Sequence, residues 1–218
     1  MLDGAKESIV QHVRKLSSAA LDNLIYRLAV DRAIDALRPM KYRLKPKFKK
    51  LPQEVEISRV LSQLIVEPFR RKTFPAQRWN SIAFRCFYSA LEKETAIEEV
   101  KHYARKHILK ESPVSHVHYV QFSTHFRGKV VDIHKLATDF PELVDDAHHP
   151  TCHVVAEAVF RRKVDALLAP SVRRKGGKCL AVYKKRALKV GEFEESISFF
   201  RDGSGSIAIE RSPYKDRF

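Results

Sequence analysis

The segment RWNSIAFRCFYSALEKETAIEEV, residues 78–100, combines two local patterns. Its aromatic-rich part predicts a β-strand over residues 84–90, and the part rich in Glu, Ala and Lys predicts a helix over 93–108. Glu99 therefore lies within a helix that follows a strand. Outside this segment, helical and strand patterns alternate irregularly, which predicts an α+β fold with a mixed β-sheet.

Apolar periodicity predicts the remaining elements. Pro39 and the basic run at 45–50 indicate a boundary near residue 40, which predicts a helical N-terminal extension over 1–40 and a main domain over 41–218. Helices are expected over 5–37 (one broken helix or two), 54–70 and 153–163. Strands are expected over 114–126 and 130–133, separated by a turn at Gly128, and over 164–169, 180–183 and, as a hairpin, 196–200 and 206–210.

The chain is strongly basic. Lys and Arg number 41 against 26 acidic residues, for a formal charge of +15 in 218 residues. Such a surface attracts anions, so a dinucleotide, a nucleic acid or an acidic protein would all fit as a partner. No zinc finger, RNA-binding aromatic motif or helix-turn-helix pattern is visible, so charge alone does not choose among them.

The sequence gives little support for a membrane protein, a secreted protein, a metalloprotein or a protein with a Rossmann or P-loop fold. Long apolar runs are absent, and charges occupy residues 1–15 where a signal peptide would be apolar, so we expect a cytoplasmic protein without a membrane partner. Three unpaired cysteines fit a reducing compartment. His148, His149, Cys152 and His153 are spaced closely enough for a metal, but a surface loop and helix start is the favoured interpretation, and no metal is expected. Rossmann and P-loop glycine motifs are lacking.

Residues 78–99 also bring chemically useful side chains together. Arg78 suits a diphosphate, Trp79 or Tyr88 could stack on nicotinamide, Asn80 adds a polar contact, and Glu99 could stabilise positive charge on a ribose. These are the demands of cleaving an N-glycosidic bond. The ordinary alternatives are core packing for the two aromatic residues and a solvated helix face for Glu99.

Ser171 and Arg173 follow a predicted buried strand. They could form a substrate loop, since binding residues concentrate at strand ends, although a capping serine is the commoner explanation. No Gly-x-Ser-x-Gly elbow surrounds Ser171, which argues against a hydrolase nucleophile.

Three separated blocks together resemble the RES family, named for an Arg, a Glu and a Ser. The blocks are Tyr42-Arg43, the segment at 78–100, and Ala169-Pro170-Ser171-Val172-Arg173 followed by Gly176-Gly177. The resemblance implies that the family's Arg corresponds to Arg43 or Arg78, its Glu to Glu99, its Ser to Ser171, and that Tyr88 is the active-site aromatic, with Tyr42, Trp79, Asn80 and Arg173 as substrate contacts. The chain departs from the family pattern at Gln77 and Leu44.

The resemblance implies a fold similar to the ADP-ribosyltransferase toxins and degradation of NAD, by hydrolysis or by phosphorolysis with inorganic phosphate as co-substrate. It implies no cofactor. A helix-turn-helix antitoxin or another neutralising protein would be the partner, and a homo-oligomer stays open. Two other hypotheses are a mono-ADP-ribosyltransferase that modifies a protein and a basic nucleic-acid-binding module without catalysis.

Overall fold

A computed structural model describes residues 4–30, 53–70, 76–105, 116–146 and 149–213. Helices and a mixed β-sheet confirm the predicted α+β class. The helices are α1 (Gly4–Lys15), α2 (Gln53–Arg70), α3 (Lys93–Tyr103) and α4 (Pro150–Arg161). The strands are β1 (Ser18–Val30), β2 (Phe87–Ala90), β3 (His116–Asp132), β4 (Ala166–Pro170), β5 (Lys178–Val182), β6 (Leu188–Arg201) and β7 (Ile207–Pro213).

The seven strands form one sheet in the order β1-β2-β5-β4-β3-β6-β7, and β1 also pairs with β3. That extra pairing closes β1, β2, β5, β4 and β3 into a ring, from which β6 and β7 extend. The β3–β4 pairing is parallel, whereas the other pairings are antiparallel. Strand β4 therefore ends beside β5, and the loop between them leaves the sheet next to α3.

The sheet separates layers of apolar side chains. Along β5, Leu180 and Val182 pack into a cluster with Phe87 and Phe122. Ala181 lies in a second cluster with Trp79. This alternation is that of a strand buried on both faces, because successive side chains point to opposite sides.

The helix predicted across residues 5–37 is wrong over residues 18–30, and residues 31–37 lie outside the described part of the chain. Residues 18–30 form β1, which pairs antiparallel with residues 119–131 of β3 along its whole length. The apolar residues here occur at helical spacing, but a partner strand about a hundred positions away supplies backbone hydrogen bonds, and such tertiary pairing overrides local propensity.

The first part of that predicted helix is confirmed as α1. Its apolar stripe, with Ile9 and Val13 fully buried, packs in one cluster with Val155 and Val159 of α4. The Arg162 guanidinium fixes the end of α1 by donating to the carbonyls of Val13 and Leu16. The extension is thus covered by the chain itself over α1. The boundary predicted near residue 40 lies outside the described residues and stays a prediction.

The turn predicted at Gly128 is also wrong, since β3 runs through this residue without interruption. A Cβ on Gly128 would lie 2.8 Å from Cβ of Asp165, so the glycine permits close packing against the segment before β4. The C-terminal hairpin is confirmed: β6 and β7 pair around a turn in which Asp202 accepts hydrogen bonds from the backbone N–H groups of Ser204 and Ser206.

Candidate active site

The site centres on a carboxylate of α3 and a hydroxyl at the end of β4. Ser171 donates a hydrogen bond from Oγ to Oε1 of Glu99 at 2.6 Å, across 72 residues of sequence. The backbone N–H groups of Arg173 and Arg174 both donate to the same Oγ at 3.1 Å. Because those two donors occupy its lone pairs, the serine hydroxyl is left to direct its hydrogen at Glu99.

A cysteine thiol provides a second contact to the carboxylate. Sγ of Cys179, on β5, lies 3.5 Å from Oε1 of Glu99. Burial, reinforced by the negative charge of Glu99, raises the pKa of Cys179 well above its ordinary value, so the thiol keeps its hydrogen and acts as a donor. Both contacts fall on Oε1, and within the described part of the chain no hydrogen bond reaches Oε2.

The loop that carries Ser171 is braced against the start of α3. The Glu92 carboxylate accepts hydrogen bonds from the Thr95 hydroxyl at 2.6 Å and from the backbone N–H of Lys178 at 3.1 Å. The Arg174 guanidinium donates to Oγ1 of Thr95 at 3.1 Å. Gly177 fits against this group only because it has no side chain: a Cβ there would lie 2.6 Å from Oγ1 of Thr95. These contacts fix the position of the loop relative to α3, the helix that carries Glu99.

Basic side chains line one side of the pair. Nη2 of Arg173 contacts Oδ1 of Asp146, and Nε2 of His102 lies 3.7 Å from Oδ2 of the same carboxylate. The Nε atom of Arg173 is buried and has no hydrogen-bond partner among the described residues. Arg173 thus combines a partly buried side chain, 18% exposed, with an Nε donor that has no partner among the described residues.

Arg78 reaches the same loop from the other direction. Its guanidinium donates to the carbonyl oxygens of Leu143 at 3.1 Å and Asp145 at 2.6 Å, and Nη1 lies 3.6 Å from Sγ of Cys152. Burial and the positive charge of Arg78 lower the pKa of His149 from its ordinary value. Adjacent residues of one loop, Asp145 and Asp146, therefore hold two of the three arginines predicted for the site, Arg78 and Arg173.

Tyr88, Trp79 and Asn80 form a framework behind Arg78. The Tyr88 hydroxyl accepts from the Trp79 backbone N–H at 2.7 Å and donates to Oδ1 of Asn80 at 3.0 Å. Burial raises the pKa of Tyr88 well above its ordinary value, so the hydroxyl stays protonated. Trp79 is only 2% exposed and Asn80 is fully buried. In this conformation these side chains shape the loop, and their roles in binding a substrate stay predictions.

Two predicted site residues, Tyr42 and Arg43, lie outside the described residues. Their roles also stay predictions.

The histidine and cysteine cluster near α4 makes other contacts. His148 lies outside the described residues, His153 contacts the carbonyl of Gln77 through Nε2 at 2.8 Å, and Cys152 is buried beside Arg78. Over the described part of the chain, no three side chains of ligand type form a metal-binding group. Nor does any described helix have the length and apolarity to cross a membrane.

A separate open pocket of about 610 Å³ lies on another face of the molecule. Its lining includes four basic residues, Arg127, Lys129, Lys163 and Arg186, together with the acidic residues Asp22 and Asp165. None of the residues around Glu99 lines this pocket, so we do not assign it to the candidate active site.

Four residues of the site were not predicted from the sequence: Cys179, Thr95, Asp146 and His102. A helical signal was available only for His102, which lies three positions after Glu99 and therefore on the same face of α3. The others come from different elements and meet only in the folded chain.

Comparison with known proteins agrees with the resemblance noted in the sequence. A family model described as the RES domain matches residues 56–202. A crystal structure of the M. tuberculosis MbcT–MbcA toxin–antitoxin complex contains a chain of similar fold, with a TM-score of 0.53, 14% identity, and coverage of 91% of this chain and 93% of that one. Curated proteins give no significant match.

Proposed function

Because the chain belongs to the RES-domain family, we propose that it is a toxin-like enzyme that cleaves the bond between nicotinamide and ribose in NAD. The observation that carries this proposal is the Glu99 carboxylate. Ser171 and Cys179 fix its Oε1 atom, while Oε2 has no partner among the described residues and Arg173 lies beside the pair.

Cleavage of this bond leaves positive charge on the ribose. A carboxylate that is already oriented stabilises the oxocarbenium-like transition state more than the neutral ribose of the substrate, and that difference accelerates the reaction. Glu99 is oriented in this way because a donor just after β4, Ser171, and a donor on β5, Cys179, restrain one of its oxygens.

The arginines would hold the rest of the substrate. A guanidinium binds phosphate oxygens through paired N–H donors, so we assign Arg173 and Arg78 to the diphosphate. Their attachment to adjacent residues of one loop supports a shared role. Tyr42 and Arg43 are kept as further candidates from the resemblance.

The bond changes balance with either of two nucleophiles. The electron pair of the broken bond between ribose C1 and nitrogen leaves with nicotinamide, and an oxygen of water or of inorganic phosphate forms the new bond to C1. Water gives ADP-ribose and a proton, whereas phosphate gives ADP-ribose 1-phosphate. Neither path requires a metal or a redox cofactor.

The test is to incubate the purified chain with NAD, with and without phosphate in a non-phosphate buffer, and to identify the products by mass. Release of free nicotinamide supports the proposal. A sugar phosphate in the phosphate arm indicates phosphorolysis, and ADP-ribose at one rate in both arms indicates hydrolysis. Intact NAD after prolonged incubation would contradict the proposal.

A mono-ADP-ribosyltransferase would use the same cleft chemistry with a protein as acceptor. Labelled ADP-ribose recovered on protein, with little in small molecules, would select that alternative. As in the toxin–antitoxin complex of similar fold, a neutralising protein, with a helix-turn-helix antitoxin as the candidate, is the partner we propose.

A second candidate function is binding of a polyanion, favoured by the pocket lined by Arg127, Lys129, Lys163 and Arg186. It predicts an affinity for nucleic acid that falls steeply with salt, since bound phosphates release counterions. Loss of that binding on substitution of Arg127 and Arg186 by serine, with NAD cleavage unchanged, would separate the two functions.

A further inference from the structure

One acidic side chain lies among the basic groups of the site. The two oxygens of Asp146 face different basic side chains: Oδ1 contacts Nη2 of Arg173, and Oδ2 lies 3.7 Å from Nε2 of His102. The aspartate itself is 46% exposed at the rim. A single anion that bridges a guanidinium and an imidazole has the arrangement that a phosphate group would adopt there.

Arg173 and His102 also flank the pair formed by Glu99 and Ser171. Arg173 comes two residues after Ser171, and its backbone N–H donates to the serine oxygen. His102 lies three residues after Glu99 on α3, which places both side chains on one helix face about 5 to 6 Å apart at Cβ. An anion held between Arg173 and His102 would therefore lie next to the carboxylate that we assign to the ribose.

The contact with Asp146 leaves Arg173 incompletely satisfied. A guanidinium presents Nε and Nη2 as a fork that matches two oxygens of one oxyanion. Asp146 engages Nη2 with one oxygen and directs the other towards His102, while Nε stays buried without a partner. An unpaired buried donor is unfavourable. A phosphate group, with three terminal oxygens, could accept from both Nε and Nη2 of Arg173, which the Asp146 carboxylate does not do.

We propose that Arg173 and His102 form a phosphate subsite, and that Asp146 is an internal anion which a phosphate of the substrate displaces. The nucleotide identity of that substrate rests on the proposed function, but the subsite itself concerns phosphate chemistry alone. Asp146 lowers the affinity for the ligand because its own contacts must break first. Removal of its charge therefore strengthens binding, although it removes an ion pair.

The experiment is calorimetric titration of the full chain with inorganic pyrophosphate at fixed ionic strength. Asp146→Asn is expected to bind about 3- to 10-fold more tightly than the parent, within the range of a partly exposed charge contact. Glu98→Gln is the matched control, because it removes one negative charge beside Glu99 from a residue paired with Lys101. We expect its affinity to match that of the parent chain.

A double-substitution cycle assigns the gain to the proposed subsite. Arg173→Ala should bind pyrophosphate weakly, and Asp146→Asn should bring no gain in that background. Asp146→Ser, with thermal unfolding measured for each variant, guards against loss of folding in one replacement. Unchanged or weaker binding by both Asp146 variants, an equal gain in Glu98→Gln, or a gain that survives Arg173→Ala would each overturn the proposal.

The same variants keep this proposal separate from the catalytic one. Tighter pyrophosphate binding by Asp146→Asn in a chain that leaves NAD intact would support the phosphate subsite and refute NAD cleavage. Nicotinamide release by the parent chain, with no change in pyrophosphate affinity on substitution of Asp146, would support NAD cleavage and refute the phosphate subsite.

Discussion

Ser171 donates to Oε1 of Glu99 at 2.6 Å while its own oxygen accepts the backbone N–H groups of Arg173 and Arg174. One serine therefore links the orientation of the carboxylate to the conformation of the basic loop. The family resemblance predicted that both residues belong to the site, and the fold explains how they meet: β4 ends beside β5, against which α3 lies.

Ser171→Ala should impair catalysis more than folding. The substitution removes the donor to Glu99, and a hydrogen bond to a charged group is worth about 1.5 to 3 kcal/mol, so kcat/KM for NAD should fall about 10- to 100-fold. Ser89→Ala is the control, because Ser89 is a buried serine that donates to the Leu180 carbonyl and not to Glu99. Full activity in Ser171→Ala would show that Glu99 needs no such orientation.

Gly177→Ala should disturb the loop through packing alone. Its Cβ would lie 2.6 Å from Oγ1 of Thr95, so we expect a loss of about 1 to 3 kcal/mol in the free energy of unfolding, together with lower activity. Gly203→Ala has no atom within 4 Å of its new Cβ and no positive φ, and should be nearly neutral. Denaturant unfolding of both variants checks this, and equal stability would contradict the tight packing of Gly177.

Cys86 should make the protein less stable in alkali. Burial raises the pKa of its thiol from 9.0 to about 12. Below pH 9 the thiol is protonated in both the folded and the unfolded chain, so its full contribution to the free energy of unfolding is present. Between pH 9 and about 12 the unfolded chain releases a proton that the folded chain keeps, so stability falls by about 1.4 kcal/mol per pH unit for this thiol.

Urea unfolding from pH 8 to 10.5 tests that slope by comparison with Cys86→Ala. The difference in unfolding free energy between parent and variant should shrink as pH rises above 9. A difference that stays constant across this range would mean that the thiol titrates normally in the folded protein.

Arg78→Lys should raise KM for NAD about 10-fold. A lysine cannot reproduce the guanidinium contacts with the carbonyls of Leu143 and Asp145 and still present a planar fork to a diphosphate. Arg161→Lys, at an exposed pair with Glu157, serves as the control for the substitution type. Steady-state kinetics with an unchanged KM would remove Arg78 from the substrate site.

Local sequence patterns correctly predicted those helices and strands whose conformation depends mainly on residues nearby in the sequence. The strand and helix within residues 78–100 have distinct periodicities, and α3 begins at Lys93 as predicted. The pattern of β1 misled, because its apolar spacing suits a helix and its pairing with β3 comes from a distant segment. Gly128 was misread since its small size serves packing against Asp165 rather than a turn.

The candidate site likewise contains residues that the sequence could indicate and residues that it could not. The residue pattern made Glu99 and Ser171 candidates, but only the family resemblance favoured them over the ordinary alternatives, a solvated helix face and a helix cap. Cys179 and Asp146 carry no local signal: their contacts with Glu99 and Arg173 join elements that are remote in sequence. Such pairs depend on the sheet order, which periodicity does not encode.

The most direct test of the proposed chemistry is nicotinamide release by Glu99→Gln beside Glu98→Gln. Both substitutions remove one negative charge from the same helix and keep the side-chain shape, but only Glu99 contacts Ser171 and Cys179. We predict a fall of about 100-fold or more in kcat for Glu99→Gln, as for the removal of other transition-state stabilisers, with Glu98→Gln close to the parent chain. Near-parent turnover in Glu99→Gln, with the fold intact by thermal unfolding, would contradict the assignment of Glu99.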